Sequence, residues 1–513
     1  MSDDSSARGR IAGAMIGLAI GDALGLPVEF EPRSAREADP VDSLRGGGTW
    51  NLEPGYWSDD TSLALCLAES IVLRGFDPDD FGKRALAWLD GGLWSAGGQA
   101  IGAGGATMRA LGRIRSGMPA VLAGGRGEND NGNGALMRIL PASAWLASFP
   151  EPARLRAIAA YSAVTHGHPR SILGSWLHCL LSSRLLRGEA PKDAYFRAME
   201  EARALMPSLP IALRTEAKAY ARLLDGGIAS VPASAIRASG YVVHCLEASI
   251  WCLLNRSDFR STVLAAVNLG EDADTTGAVA GGLAGLAYGR AALPDEWARA
   301  IARSSEIGAL AERLADLFER EAPLPRSYWV LPGKLLAGGY PGRGRGGAPG
   351  GTPEGSGTAE PHSAFPALKA LLGSGVDAFL DLTAPDEEVG APRYAELLGS
   401  AASAGGSPAE RRSAPQDDMS ANPSSVSRVL VELGSMLAAG RTVYLHCVGG
   451  LGRTGTVVGS FLVERGLAAP DEALALIAAL RAGTDKPGAE SPQTDDQRAL
   501  VESTRPGPAA LPL

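Results

Sequence analysis

Glycine recurs at every fourth residue in two distant stretches: Gly13, Gly17, Gly21 and Gly25, then Gly277, Gly281, Gly285 and Gly289. Four-residue spacing keeps such positions along one slowly drifting face of a helix. Each glycine inside a helix costs roughly 1 kcal/mol relative to alanine. Eight such costs need compensation, and close backbone approach between helices supplies it. The stripes therefore predict two tightly packed helices, and packing against each other is one way to meet that need. A glycine- and alanine-biased composition is the bland alternative. It leaves unexplained why both stripes carry acidic residues at or near their ends.

The 513 residues include 66 glycines and 34 prolines. That is above average, yet short of the ~25–30% of a low-complexity chain. A hydrophobic share of 45% fits a globular protein. The formal net charge is −9 and no basic stripe appears, so there is no DNA-binding signature. Five cysteines make no disulfide framework, and a reducing, cytoplasmic setting is expected. Arg8, Arg10 and the apolar run Ile11–Ile20 mimic a leader, but Asp22 and Glu29 follow at once. No uninterrupted apolar run approaches the ~18 residues of a membrane span, so no membrane partner is expected.

From about residue 8 to 320 the pattern is helical. Thr61–Leu73, Pro152–Thr165, Ser171–Arg187, Ala212–Leu224 and Asp295–Glu321 carry apolar residues at helical spacing. After about 325, Tyr328–Pro332, Lys334–Ala337, Val376–Leu382 and Thr442–Leu445 read as strands. They alternate with helical stretches at Phe365–Leu372, Ser425–Ala438, Thr454–Arg465 and Pro470–Ala482. The expected fold class is multidomain: an all-α domain over 8–322, then an α/β domain over 326–505. Gly338–Gly357 and Ser400–Pro415 read as flexible loops inside the second domain.

Two acidic clusters stand out in the first domain. Ser58-Asp59-Asp60-Thr61 directly precedes an apolar helix, and Asp272-Ala273-Asp274-Thr275-Thr276 precedes the second glycine stripe. Each alone reads as a helix cap with acids placed well against the dipole. Together they supply four carboxylates, which are prohibitive to bury side by side without cations. Oxygen-only ligands suit Mg²⁺, Mn²⁺ or Ca²⁺.

Gly17–Glu29 (GLAIGDALGLPVE) resembles the N-terminal signature of ADP-ribosylglycohydrolases. Ser58–Thr61, Asn133–Pro141 (NGALMRILP), Ala163–Pro169 (AVTHGHP), Gly240–Trp251 (GYVVHCLEASIW) and Gly270–Gly285 resemble its later motifs, in order. The resemblance implies an all-α fold with two Mg²⁺ or Mn²⁺ ions. Ser58, Asp59, Asp60, Asp272, Asp274 and Thr275 would be the metal ligands, and Glu29 a catalytic carboxylate beside them. Ser58 stands where the family often has Thr. Ala100-Ile101-Gly102 stands where it often has Asp-Ile-Gly. Glycines at Gly102, Gly132 and Gly134 suit close backbone approach to a substrate diphosphate. His166 and His168 are further binding candidates, with a structural role as the plainer reading.

In the second domain, His446-Cys447-Val448-Gly449-Gly450-Leu451-Gly452-Arg453-Thr454 lies between a predicted strand and a predicted helix. Cysteine, five residues and Arg-Thr is the signature of cysteine-dependent phosphatases. Gly449, Gly450 and Gly452 let backbone N–H groups turn inward around a phosphate. Arg453 can fork onto two phosphate oxygens. The same positive field favours a nucleophilic thiolate at Cys447, to which Thr454 can donate. Asp418, with Asp417 as the alternative, resembles the general acid of dual-specificity phosphatases. Gln493 resembles the glutamine that places the hydrolytic water. No cofactor is expected for this domain.

Taken together, the resemblances imply a bifunctional hydrolase. One domain would act on an ADP-ribosylated protein or small acceptor, the other on a phosphorylated protein or other phosphomonoester. A non-catalytic ADP-ribose-binding or structural module attached to an active phosphatase is the alternative.

Overall fold

The computed structural model describes residues 6–341, 364–385, 387, 394–403, 409–417, 421–507 and 510–511. They group into two compact units, one made almost entirely of residues up to Glu319, the other of Arg320–Gly507. The first is helical and the second is built on a single sheet.

Five helices frame the first unit's site: α1 (Ala7–Gly25), α2 (Asp59–Arg74), α3 (Gly105–Arg115), α4 (Pro169–Leu186) and α5 (Ala273–Tyr288). The glycine stripes of α1 and α5 lie directly on each other, antiparallel. Gly13 meets Gly285 and Gly289, Gly17 meets Gly281, Gly21 meets Gly277, and Gly25 meets Ala273 and Asp274. A Cβ built on Gly21 would fall 1.9 Å from the Gly277 carbonyl oxygen, and one on Gly281 would fall 2.1 Å from that of Gly17. No side chain fits there, so the helical cost of glycine is offset by contact between backbones. The antiparallel pairing sets the first turn of α5 beside the end of α1, four residues before Glu29. The span Ala7–Val28 is long and apolar enough, on average, to cross a bilayer although Arg8, Arg10 and Asp22 interrupt its apolar run; 94% of its apolar window is buried within the protein.

Two predicted helices are broken. Ala212–Leu224 splits into Ile211–Glu216, a tighter turn at Ala217–Tyr220, and Ala221–Leu224. That turn carries Tyr220 into the core, where its hydroxyl donates to the Arg170 carbonyl at 2.7 Å. Asp295–Glu321 splits into Asp295–Ala300 and Ser304–Phe318. Between them Arg303 adopts φ 52° and lays its guanidinium 4.5 Å from the Trp94 ring centroid.

The second unit is a five-stranded sheet. Among its elements are β1 (Ser327–Leu331), β2 (Leu335–Gly338), β3 (Ala378–Asp381), α6 (Tyr394–Ser403), β4 (Glu410–Ser413), β5 (Val443–His446), α7 (Gly452–Glu464) and α8 (Asp495–Ser503), with further helices at Ala364–Gly373, Pro423–Ala438 and Ala473–Leu480. The spatial order is β1-β2-β5-β3-β4. Only β1 runs antiparallel to its neighbour. The central strand β5 is wholly buried, and Leu336, Phe379, Tyr394 and Tyr444 pack its core. Strand β4 corrects the reading of Ser400–Pro415 as a flexible loop. Its sequence, Glu-Arg-Arg-Ser, has no apolar alternation. Parallel pairing with β3 holds it, helped by Arg411–Asp381 and Arg412–Glu432 ion pairs. Of the predicted Gly338–Gly357 loop, Gly338 closes β2, and residues from 342 onward lie outside the described residues.

Two outcomes follow from this packing. Gly21→Ala is expected to destabilise the helical unit by about 3 kcal/mol or more. Gly112→Ala, on α3 with open space around the built Cβ, should instead stabilise by about 0.4–1 kcal/mol; denaturant unfolding of both variants checks the pair. Burial pushes the imidazole of His178 down to about 4. The unfolded chain binds its proton near pH 6.5, so stability drops as pH falls from 6.5 to 4. The slope from this one group is about 1.4 kcal/mol per pH unit. His178→Gln should flatten the pH dependence of unfolding by that amount in that window.

Candidate active sites

A cavity of ≈ 540 Å³ opens in the helical unit. Glu29, Asp59, Asp60, Gly102, Gly132, Gly134, Asp272, Asp274 and Thr275 all line it, so residues up to 246 positions apart share one wall. Asp59 and Asp60 arrive on the first turn of α2, Asp274 and Thr275 on the first turn of α5. Ser58 has a different place: as the N-cap of α2 its hydroxyl accepts from Asp60 N and donates to Asp60 Oδ2 at 2.9 Å. Gly102 has φ 84°, and a Cβ there would sit 2.6 Å from Asp59 Oδ1. The glycines at 132 and 134 leave room for the His166 ring, which a Cβ on Gly134 would approach to 2.7 Å. His166 lines the cavity and burial pushes its pKa down to about 3, so it is neutral. His168 is the N-cap of α4, its Nδ1 accepting from Arg170 N.

The carboxylates form two groups, Asp22–Asp60–Asp274 and Glu29–Asp272–Asp274, with one oxygen of each member within 4.8 Å of the others. Desolvation, then neighbouring negative charge, pushes Asp59 up to about 8 and holds Asp60 and Asp274 well above the usual carboxylate range. Desolvation likewise raises Glu29 to about 7, against the Trp50 indole N–H that donates to its Oε2 at 3.2 Å. Asp60 Oδ1 is buried with no hydrogen-bond partner among the described residues. A buried, all-oxygen cluster with an orphaned carboxylate oxygen fits hard divalent cations.

Two residues that support the cavity wall without lining it were not singled out from the sequence. Asp22 is fully buried and accepts from Ser58 N, Thr61 N and Thr61 Oγ1, the last at 2.7 Å. It pins the start of α2, and its only sequence signal is a lone acid inside a glycine-striped apolar helix. Arg138 is 1% exposed, stacks 5.3 Å from the Phe81 ring centroid and donates to the Gly134 and Tyr161 carbonyls. Burial lowers its pKa to about 9, with the Asp59 charge opposing. It remains a fixed positive charge behind the carboxylates.

The second site lies at the C-terminal end of β5. Cys447 is buried, and its Sγ accepts from Gly450 N at 3.3 Å. Gly450 has φ 74°, and a Cβ there would sit 2.6 Å from the Gly338 carbonyl carbon. Gly452 opens α7 against the side-chain oxygens of Gln493 and Gln497, whereas Gly449 faces open space. The hydroxyl of Thr454 faces the Gly338 carbonyl at 3.5 Å rather than the Cys447 sulfur, because the first turn of α7 directs it onto β2. Arg453 donates both terminal nitrogens to Glu387, each at 2.7 Å. Glu387 was not anticipated, since no motif marks it. Asp417 lines a small cavity with Arg453 and Gln497; Asp418 lies outside the described residues. Behind the loop, His446 Nε2 meets the Tyr394 hydroxyl at 2.9 Å, and Asp381 receives Arg411.

A family model described as ADP-ribosylglycohydrolase matches residues 3–323. One described as a polymorphic toxin system DSP-PTPase phosphatase matches residues 356–467. Both are hydrolase families, and the second match spans the Cys447–Arg453 loop. The chain belongs to the ADP-ribosylglycohydrolase family, with a phosphatase-like domain following. ADP-ribosylarginine hydrolase Tri1 of Pseudomonas putida (strain GB-1) is 35% identical over 312 residues, spanning 60% of this chain and 78% of that protein. ADP-ribosyl-[dinitrogen reductase] glycohydrolase of Rhodospirillum rubrum is 31% identical over 301 residues, spanning 57% and 90%. A solved ADP-ribosylglycohydrolase-related protein complex is similar with TM-score 0.51 and 36% identity, covering 61% of this chain and 99% of that one.

The hydrogen bonds of Asp22 make a prediction for metal loading. Asp22→Asn turns one acceptor oxygen into a donor facing backbone N–H groups. Calorimetric titration with Mn²⁺ should show affinity reduced by about 10- to 100-fold, with helix content unchanged.

Proposed function

We propose that the chain is a bifunctional hydrolase with two independent sites. Its helical unit cleaves the bond between ribose C1″ of ADP-ribose and an acceptor, with the guanidinium of arginine as the acceptor favoured by the named relatives. The observation that carries this reading is the single cavity lined by both acidic motifs, Glu29 and the three glycines.

Asp59, Asp60, Asp272, Asp274 and Thr275 would hold two Mg²⁺ or Mn²⁺ ions, with Ser58 and Asp22 fixing the start of α2. Such ions, when bound, supply positive charge to ribose hydroxyls and water. The backbones at Gly102, Gly132 and Gly134 admit the diphosphate. Water adds to C1″ as the C1″–acceptor bond breaks, through a state resembling an oxocarbenium ion. Glu29 takes the proton from that water and returns it to the leaving atom. A carboxyl held near 7 in a cavity suits that exchange.

In the α/β unit, Cys447 Sγ attacks a phosphate monoester at phosphorus. The ester oxygen leaves with a proton from Asp418 or Asp417. Water, oriented by Gln493, then breaks the S–P bond and restores the thiol. Arg453 and the backbone of Gly449–Gly452 bind the phosphoryl oxygens. Glu387 keeps the guanidinium fork planar to the loop before substrate arrives.

The test uses the full chain with two substrates, an ADP-ribosylated arginine peptide and an aryl phosphate. Asp274→Ala should lower release of ADP-ribose more than about 1,000-fold and leave phosphate release unchanged. Cys447→Ser should do the reverse. Residual wild-type turnover in either variant overturns the corresponding assignment.

A further inference from the structure

Two large aromatic side chains flank Glu29, and the fold leaves both in solvent. Phe30 is 69% exposed and lines the cavity; Trp50 is 41% exposed. Neither belongs to the carboxylate cluster or to the glycine-lined end.

The backbone at Phe30 is strained to put it there. Its φ is 69°, a left-handed value that a bulky residue adopts only when its surroundings impose it. Two reciprocal hydrogen bonds impose it: Phe30 N donates to the Glu271 carbonyl and Glu271 N to the Glu31 carbonyl, both at 2.7 Å. Glu271 is itself at φ 60° and lines the same cavity. A Cβ at the adjacent Gly270 would fall 2.8 Å from Arg33 N, so the clamp tolerates little change. Trp50 is tied to the site by its indole N–H on Glu29 Oε2. A strained loop holding an aromatic ring out of the core, beside the proton-handling carboxylate, is unfavourable for folding alone.

We infer that Phe30 and Trp50, with the carboxylate of Glu271, form the subsite that receives a guanidinium leaving group. This rests on the reading that the helical unit hydrolyses ADP-ribosyl bonds. Glu29 stands at the reacting carbon, so groups flanking it on the solvent side meet the acceptor rather than the ADP-ribose. The chemistry of that rim is aromatic and acidic. A planar cation gains from both, by stacking on rings and by pairing with a carboxylate. A neutral hydroxyl-bearing acceptor gains from neither.

The experiment uses the full chain loaded with Mn²⁺. Phe30→Gly removes the ring and relieves the left-handed strain, so the variant keeps its fold; Phe30→Tyr is the conservative control. The measurements are KM and kcat on ADP-ribosylarginine and ADP-ribosylserine peptides, and calorimetric binding of ADP-ribose and then of agmatine as a guanidinium probe. Phe30→Gly and Trp50→Phe, Glu271→Gln should separate stacking from charge. Expected for Phe30→Gly is a KM on the arginine substrate and a Kd for agmatine both raised about 3- to 30-fold. ADP-ribose affinity and the serine substrate should be unmoved, and Phe30→Tyr should behave as wild type. Trp50→Phe should keep most agmatine binding, and Glu271→Gln should lose its salt-dependent part. Equal losses on both peptides, a matching loss of ADP-ribose affinity, or no effect on agmatine would overturn the subsite. Agmatine binding that depends on Phe30 in a protein that does not turn over the arginine peptide would instead uphold the subsite and overturn the hydrolase reading.

Discussion

The contact between the backbones of α1 and α5 governs the helical unit. Glycine at Gly13, Gly17, Gly21 and Gly25 lets the helices approach until carbonyl oxygens fill the place of side chains. Without that approach, Asp22 on α1, and with it the start of α2 that it holds, would stand a side-chain diameter further from Asp274. The helix pair therefore does more than fill the core. It sets the spacing of the carboxylates, and it aims the chain leaving α1 at the second acidic motif.

Bringing those carboxylates together is itself unfavourable, as the raised affinities of Asp59, Asp60 and Asp274 for protons show. The fold offsets part of this with Arg138 behind the cavity and with backbone N–H groups donated to Asp22. The rest calls for cations, which the oxygen-only donor set accommodates. The same logic runs with opposite sign in the α/β unit. There Gly450 N donates to the Cys447 sulfur, and Glu387 satisfies Arg453 with a carboxylate of the same forked geometry as two phosphate oxygens.

Much of the site was legible from order and spacing. The two acidic motifs, Glu29 and the glycines of the helical unit could be named from the chain and do line one cavity. The loop from Cys447 to Arg453 could be placed between a strand and a helix, where it stands. Asp22, Arg138 and Glu387 could not. Each acts through a partner far away in sequence, and no local pattern marks such a partner. Strand β4 was missed for a related reason: Glu410–Ser413 has no apolar period, and its pairing with β3 decides its conformation. The contact of the Thr454 hydroxyl with the Gly338 carbonyl could not be read from the chain either, because it depends on where α7 begins relative to β2.

The sequence by itself determined that two glycine-striped helices must each pack closely on a neighbour, that two acidic motifs buried together call for cations, and that a cysteine loop would follow a buried strand. Each of these is a local demand, set by residue type and period. Tertiary structure alone decided which helices touch, which carboxylates come within ligating distance, and that Phe30 and Glu271 hold each other in left-handed conformations at the cavity mouth. Those outcomes depend on hydrogen bonds and van der Waals contacts between segments more than 200 residues apart, which no window along the chain contains.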